Sequence, residues 1–273
     1  MLSENEIKEY FLLVNSHAKK ELGQNFLLDE DVTKSILEAL ELKKKDRLLE
    51  IGPGLGSLTE QLVNKTKTYV AVEFDKKFVE FLNKSFDKTN LIVENYNILK
   101  YKNYDFNKVV GNLPYYISTD ILNYVIKNFN DLEIGVFMVQ KEFYERITTK
   151  DKRYKTAVNY FIEYLYKIEK IMTVPKNAFF PQPKVDSIIF KITKNPIKDV
   201  DSARFLFKII EISFLNRRKN INNNLKHLIN DNEIRKEVIL KANLDLNVRS
   251  EDLTIDDFIN LTNEILKVGN IKL

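Results

Sequence analysis

Between residues 47 and 139, short apolar runs alternate with stretches of helical period, and this alternation constrains the architecture more than any other feature of the chain. The runs at 47–51, 69–73, 91–94, 108–110 and 134–139 have strand length and are bounded by turn residues. Between them, segments 57–64, 76–86 and 118–129 repeat apolar residues three and four apart, as a helix resting on a sheet does. Continuously apolar strands joined through helices predict a parallel sheet covered on both faces, an α/β fold. Segments around 160–174 and 187–193 read as further strands that could close the sheet as a hairpin.

After Lys194 the texture changes. NPIKDVDS reads as a linker, and beyond it 203–214, 220–228, 232–242 and 255–268 are helical in period with no convincing strand. The expected division is therefore 1–195 for the α/β domain and 196–273 for a small all-helical domain. The chain has no cysteine and 2 histidines, which leaves no disulfide framework, no thiolate site and no metal expected. No apolar run approaches a membrane span, and MLSENEIKEYFLLVNS is too acidic and interrupted for a signal peptide. The reading is a soluble, cytoplasmic protein with no membrane partner.

Net charge is only +4, so its distribution says more than its size. FLNRRKNINNNLKH (214–227) holds Arg217, Arg218, Lys219 and Lys226 and no acid, and Lys19 and Lys20 form a smaller cluster beside His17. A localised basic stripe suits a polyanion, although a solvated helix face gives the same pattern.

LLEIGPGLGSLTEQL (48–62) reads as strand, glycine turn and helix, with Ser57 and Glu60 spaced as a capping box. Glycines at 52, 54 and 56 let backbone approach a ligand where a Cβ would intrude. The next run ends in Glu73, about 20 residues past the turn, where a carboxylate can accept from ribose hydroxyls. A dinucleotide fingerprint needs glycine at 57, where Ser57 stands. The G-x-G-x-G form with Glu50 before it suits S-adenosylmethionine, which has no pyrophosphate. A NAD-dependent dehydrogenase is disfavoured for the same reason, and no acid for hydride transfer is visible.

GNLPYYIST (111–119) follows the fourth strand, at the carboxyl edge where open α/β sheets bind ligands. Asn112 offers an amide acceptor for an exocyclic amine such as N6 of adenine. Pro114 fixes φ, lacks a donor and can aim the preceding carbonyl into the site. Tyr115 supplies a flat face for a flipped base. No acid–base residue is required, because sulfonium is a good leaving group and placement supplies most of the rate. A β–α turn with proline and buried tyrosines is the structural alternative. The glycine loop one βαβ unit upstream favours amine methylation. Tyr116 has no assignment between base contact and packing.

These motifs together resemble the ribosomal RNA small-subunit adenine N6,N6-dimethyltransferases, from about Lys19 to the last helices. KKELGQNFL (19–27), LEIGPGLGSLTE, VAVEFD, GNLPYYIST, FMVQKEFYERI (137–147), AFFPQPKVDS (178–187) and FLNRRKNINNNL (214–225) carry the resemblance in order. It implies a Rossmann-like class I S-adenosylmethionine-dependent methyltransferase domain followed by a helical RNA- or ribosome-binding domain. Carried over by position, Asn25 and Leu27 line the cofactor pocket, Gly52 lies at its methionine end with Gly54 in the same loop, and Glu73 meets the ribose. Asn112 holds cofactor and target amine, with Leu113 and Pro114 completing the catalytic motif. Tyr115 stacks on the target adenine and Phe179 presses its other face. Local chemistry alone equally suits Phe179 as a core anchor between prolines. Gln24 and Phe26 are expected to order and pack the motif. Arg217, Arg218 and Lys219 grip RNA backbone.

Two departures stand out. Asn97 occupies the position where the family usually has an acid for the cofactor's adenine, which implies an amide acceptor and lower affinity. The family's Tyr-Gly-x-Leu-Ser appears as Tyr154-Lys155-Thr156-Ala157-Val158 and carries no ligand role. The implied reaction is dimethylation of two adjacent adenines in the 3′-terminal hairpin of 16S rRNA, on an assembling 30S subunit, by a monomer. The erythromycin-resistance branch acting on 23S rRNA is the near alternative; LGQNFL, the leucine of NLPY and PKVDS followed by FLNRRK favour the small-subunit branch. A non-catalytic RNA-binding assembly or transcription factor is disfavoured by the intact Asn112, Tyr115 and glycine loop.

Overall fold

The computed structural model describes residues 1–19, 23–87, 89–198 and 200–268. Lys20, half of the small basic cluster, lies outside them. The chain divides into two compact units, Met1–Glu145 with Lys167–Lys194, and Arg146–Tyr166 with the chain from Asn195 onward.

The first unit is built on a seven-stranded sheet. Its strands are β2 (Arg47–Ile51), β3 (Thr68–Glu73), β4 (Leu91–Asn95), β5 (Lys108–Asn112), β6 (Ile134–Gln140), β7 (Tyr166–Val174) and β9 (Ser187–Lys194). A two-residue strand, β1 (Phe26–Leu27), pairs antiparallel with β8 (Phe179–Phe180). The order β4-β3-β2-β5-β6-β9-β7 is parallel from β4 through β6, and β9 runs antiparallel to β6. β2, β5 and β6 are buried almost throughout, which is why they read as unbroken apolar runs. From β2 the chain winds outward to β3 and β4, then returns to β5 on the other side. The carboxyl ends of β2 and β5 therefore flank a topological switch point.

Helices α1 (Glu4–Leu13), α2 (Glu30–Leu40), α3 (Thr59–Leu62), α4 (Lys76–Ser85), α5 (Ser118–Asn128) and α6 (Lys141–Ile147) complete the αβ layering. Asp29 and Asp75 cap α2 and α4 by accepting from their first-turn N–H groups, and each helix then buries one stripe, such as Phe78, Val79 and Leu82 in α4. Gly111 lets β5 approach β2 closely, since a Cβ there would sit 2.8 Å from the Ile51 carbonyl.

The second unit contains α7 (Ala157–Leu165), α8 (Val200–Phe214), α9 (Ile221–Asn224), α10 (Asn232–Lys241) and α11 (Ile255–Val268). Phe161 meets Phe207 at 4.2 Å between ring centroids, and Tyr160 packs edge-on to Phe258 at 5.1 Å. Among the described residues, no helix is long and apolar enough to cross a membrane.

Three expectations need correction. The segment around 160–174 is strand only from Tyr166. Thr156 and Asn159 form a reciprocal cap, and the residues after it wind into α7 to bury Tyr160 and Phe161. For that reason 146–166 belong with the C-terminal helices, although the expected boundary near 195 coincides with the start of the unit's larger segment. Ser57 and Glu60 form no capping box: α3 is a single turn whose N-cap is Leu58, and Ser57 Oγ donates to the Leu27 carbonyl at 2.9 Å. At the departure 154–158, Lys155 has φ −61° and ψ 143°, extended backbone that any residue adopts, so the family's glycine is not needed there.

Candidate active site

A cavity of about 290 Å³ opens at the switch point. Its walls come from the glycine turn after β2, the end of β3, the turn after β4, the Asn-Leu-Pro motif after β5 and the segment entering β1. Asn25, Leu27, Gly52, Gly54, Glu73, Asn97, Asn112 and Pro114 all line it.

Gly52 and Gly54 have φ of +66° and +58°, which favours glycine. A Cβ on Gly52 would meet no protein atom within 4 Å, so the turn borders open space rather than packed side chains. Gly54 packs against the Phe26 ring, and Gly56 against Phe86 and Leu82. Phe26 is in turn wedged against Phe11 of α1 and Phe78 of α4, with centroids 5.8 Å and 5.6 Å away.

Glu73 is almost fully buried, and its carboxylate accepts from Gly54 N–H at 3.1 Å and Asp75 N–H at 2.8 Å. Burial pushes its carboxyl up, and those backbone donors oppose the shift. Each oxygen keeps acceptor capacity toward the cavity. Glu50 lies under the glycine turn, wholly buried, accepting from Thr59 Oγ1 at 2.7 Å and from the Tyr69 hydroxyl. Burial raises its carboxyl to about 7, against the lowering effect of those hydroxyls.

Asp75 organises the entry to β1. It accepts from Lys19 Nζ at 2.7 Å and from Gln24 Nε2 at 3.4 Å, while Gln24 Oε1 accepts from Lys19 N–H at 2.8 Å. Burial raises the Asp75 carboxyl, but Lys19, the Lys77 N–H and Gln24 together hold it below its usual value. Gln24 thus orders the turn, as expected of it.

Asn112 closes β5. Its Nδ2 donates to the Asn25 carbonyl at 3.3 Å, and among the described residues nothing donates to its Oδ1. Leu113 is buried, its N–H held by the Met138 carbonyl at 2.9 Å, and Pro114 O accepts from Ser118 Oγ at 2.8 Å. Those bonds fix the motif to β6 and α5 on either side. Asn97, at the cavity wall, accepts from Leu99 N–H through Oδ1 at 2.9 Å and so caps a short 3₁₀ turn, which occupies one lone pair of the expected amide acceptor.

Not every expected residue reaches this cavity. The Tyr115 hydroxyl pairs with Ser187 Oγ at 3.1 Å, and Tyr115 does not line the wall; Tyr116 does, and is 58% exposed. Phe179 is 3% exposed, paired with Leu27 across β1 and β8 and packed in the core beside it. Arg217, Arg218 and Lys219 lie in the second unit and are exposed. Sequence reading gave no place to Ile98, Ile117 and Ile121, which supply apolar wall. The one available signal was their position just after β4 and β5.

What such a cavity takes can be judged from its parts. An adenosine needs an apolar slot and an acceptor for its ribose, which Ile98, Ile121 and Glu73 provide. A pyrophosphate needs a helix N-terminus after the glycines, and α3 is a single turn. S-adenosylmethionine satisfies these conditions, and the chain is a class I S-adenosylmethionine-dependent methyltransferase. Residues 15–267 match the family described as ribosomal RNA adenine dimethylase, and the chain belongs to that family. It is 38% identical to the ribosomal RNA small subunit methyltransferase A of Staphylococcus aureus strain JH9, across 93% of this chain and 92% of that protein. Among solved structures it resembles a dimethyladenosine transferase from Plasmodium falciparum, with a TM-score of 0.76 at 24% identity over 89% of this chain and 98% of that one. It also shares its fold with the 23S rRNA methyltransferase ErmE, at a TM-score of 0.62 and 21% identity over 88% and 98% of the two chains.

Proposed function

We propose that this protein dimethylates N6 of two adjacent adenines in the 3′-terminal hairpin of 16S rRNA, on an assembling 30S subunit in the cytoplasm, acting as a monomer. The observation that carries the reading is Asn112: an amide tied by its nitrogen to Asn25, with its oxygen left unpartnered at the wall of the cofactor cavity. The small-subunit name of the Staphylococcus aureus relative, at 38% identity across nearly both chains, favours 16S over 23S RNA. The likeness to ErmE extends only to fold.

When bound, S-adenosylmethionine would supply a methyl group on sulfonium, whose C–S bond breaks to release a neutral thioether without the help of a general acid. Glu73 would accept from the ribose hydroxyls, and Gly52 would admit the methionine end without side-chain obstruction, with Gly54 in the same loop. Asn25 and Leu27 close the pocket from the N-terminal side. Asn112 Oδ1 accepts from the target amine, holding its lone pair in line and removing the entropy of orientation. The amine proton released in each transfer passes to solvent. Tyr115 presents a face to the flipped base while Ser187 fixes its hydroxyl. Phe179 supports Leu27 from the core, and any pressing of its ring on the base requires movement of β8. Arg218 and Lys219 contact RNA backbone, which positions without encoding sequence. Residues 1–145 with 167–194 act as the catalytic domain, and the helical unit as the RNA-binding one.

The test is methyl transfer by the purified protein to small-subunit particles and, separately, to purified 23S rRNA. Dimethyladenosine in the 16S terminal hairpin supports the reading; product in 23S rRNA alone contradicts it.

A further inference from the structure

Three exposed aromatic rings line the cavity of the first unit, each carried by the turn after a different strand: Phe74 after β3, Tyr96 after β4 and Tyr116 after β5. Phe74 follows Glu73 directly and Tyr96 precedes Asn97, so both stand with the residues given to the cofactor's ribose and adenine. Tyr96 also has a ring neighbour, Tyr101, edge-on at 6.0 Å. Tyr116 differs from both. It comes from the turn that follows Asn112, the residue given to the target amine.

A tyrosine ring in water is ordinary by itself, but the setting of this one is not. Its neighbour Tyr115 ties its hydroxyl to Ser187 and leaves the cavity wall to Tyr116. Among the described residues neither the hydroxyl nor the ring of Tyr116 has a partner. The backbone beneath it is fixed all the same. Ile117 N–H and Ser118 Oγ both donate to the Pro114 carbonyl, at 3.2 Å and 2.8 Å, and α5 begins at Ser118. A flat ring on fixed backbone loses little conformational freedom when it meets a base. Core packing gives no reason for an aromatic residue at this position; an incoming π face does.

We propose that Tyr116 stacks on the base next to the one being methylated, and so holds a pair of adjacent adenines in register at the site. The assignment rests on the reading of two adjacent adenines in small-subunit RNA as the substrate. With one adenine flipped towards Asn112, its neighbour has lost a stacking partner within the RNA, and the Tyr116 ring replaces it. Stacking recognises a π face and not a hydrogen-bonding edge, so the ring favours a purine neighbour through stacking strength and has no use for its own hydroxyl. The contact lies off the reacting centre and is made equally before and during methyl transfer. Its loss therefore raises KM and spares kcat.

The experiment measures steady-state methylation of small-subunit particles from cells lacking the gene, at varied particle concentration, with S-adenosylhomocysteine affinity measured beside it. Tyr116→Ala is expected to raise KM for particles about tenfold with kcat held within a few-fold, and Tyr116→Phe to match the wild type. Cofactor affinity should be unchanged in both. A second substrate identifies the partner base: particles in which one adenine of the pair is replaced by uracil. On the remaining adenine the wild type should lose several-fold in kcat/KM, and Tyr116→Ala should lose markedly less. Wild-type kinetics in Tyr116→Ala, a defect in kcat alone, an equal loss in Tyr116→Phe, or weakened S-adenosylhomocysteine binding overturns the proposal. So does a uracil penalty of the same size in the wild type and Tyr116→Ala. A wild-type protein that methylates no small-subunit particle defeats the substrate reading itself, before any substitution is made.

Discussion

The Asn112 side-chain amide donates to the backbone carbonyl of Asn25 at 3.3 Å, joining the end of β5 to the segment that enters β1. One donor bond fixes the rotation of the amide, and so determines which way the remaining acceptor points. Asn112→Ala removes the acceptor while leaving Gly52, Gly54 and Glu73 in place. We expect kcat to fall by about 10²–10³, the usual effect of losing one preorganised polar group. S-adenosylhomocysteine affinity should change by less than about tenfold, within the worth of one hydrogen bond. Calorimetry beside single-turnover methylation separates the two effects; a purely binding defect would contradict the role.

Tyr115 makes its described hydrogen bond through the hydroxyl to Ser187, and burial raises its phenol above the usual value. If the ring face is what the substrate uses, Tyr115→Phe should keep kcat within a few-fold, whereas Tyr115→Ala should lose about 1–3 kcal/mol of base stacking. Equal losses in both variants would move the function to the hydroxyl.

Glu50 links the site to stability. Its folded carboxyl titrates at about 7, above the ordinary 4.5, because burial disfavours the charge. Its contribution is fully present below pH 4.5 and is lost as pH rises through about 7, on the order of 3 kcal/mol. Glu73, also raised, acts in the same sense. Glu50→Gln cannot ionise, so its melting temperature should decline less than the wild type's between pH 5 and pH 8. Parallel melting curves across that window would show that Glu50 does not carry the charge penalty.

Gly111→Ala places a Cβ 2.8 Å from the Ile51 carbonyl, against backbone that cannot rotate away. β5 must separate from β2, and Asn112 moves with it. A loss of about 1–3 kcal/mol in chemical denaturation, with methylation reduced in the protein that still folds, is the expected result. An alanine variant with wild-type stability and rate would mean that the two strands are not this tightly held.

The middle of the sheet was legible because β2, β5 and β6 are buried on both faces, and 47–51 and 134–139 need no alternation to be recognised. The switch point was legible through the glycines and Asn112, whose residue types are demanded by close approach and by acceptor chemistry. Helix α7 was not, because Tyr160, Phe161 and Ile162 have strand-like composition; the cap from Thr156 and Asn159 and the burial against Phe207 and Phe258 decide in favour of helix. In sequence Tyr115 was given to the base and Tyr116 left without an assignment, with nothing local to show which ring reaches the cavity. Only the turn at 115–117 separates them, sending Tyr116 to the cavity wall and Tyr115 to Ser187. The buried position of Phe179 follows from β1–β8 pairing, a contact between residues too distant for local pattern to reveal.

Whether the cavity at β2 and β5 methylates adenine N6 in small-subunit RNA through Asn112 can be read in cells. Mass spectrometry of 16S rRNA fragments compares cells lacking the gene, cells given it back and cells given Asn112→Ala. Dimethyladenosine is expected in the 3′-terminal hairpin with the wild-type gene only. Full dimethylation in the Asn112→Ala cells, or in those without the gene, would contradict it.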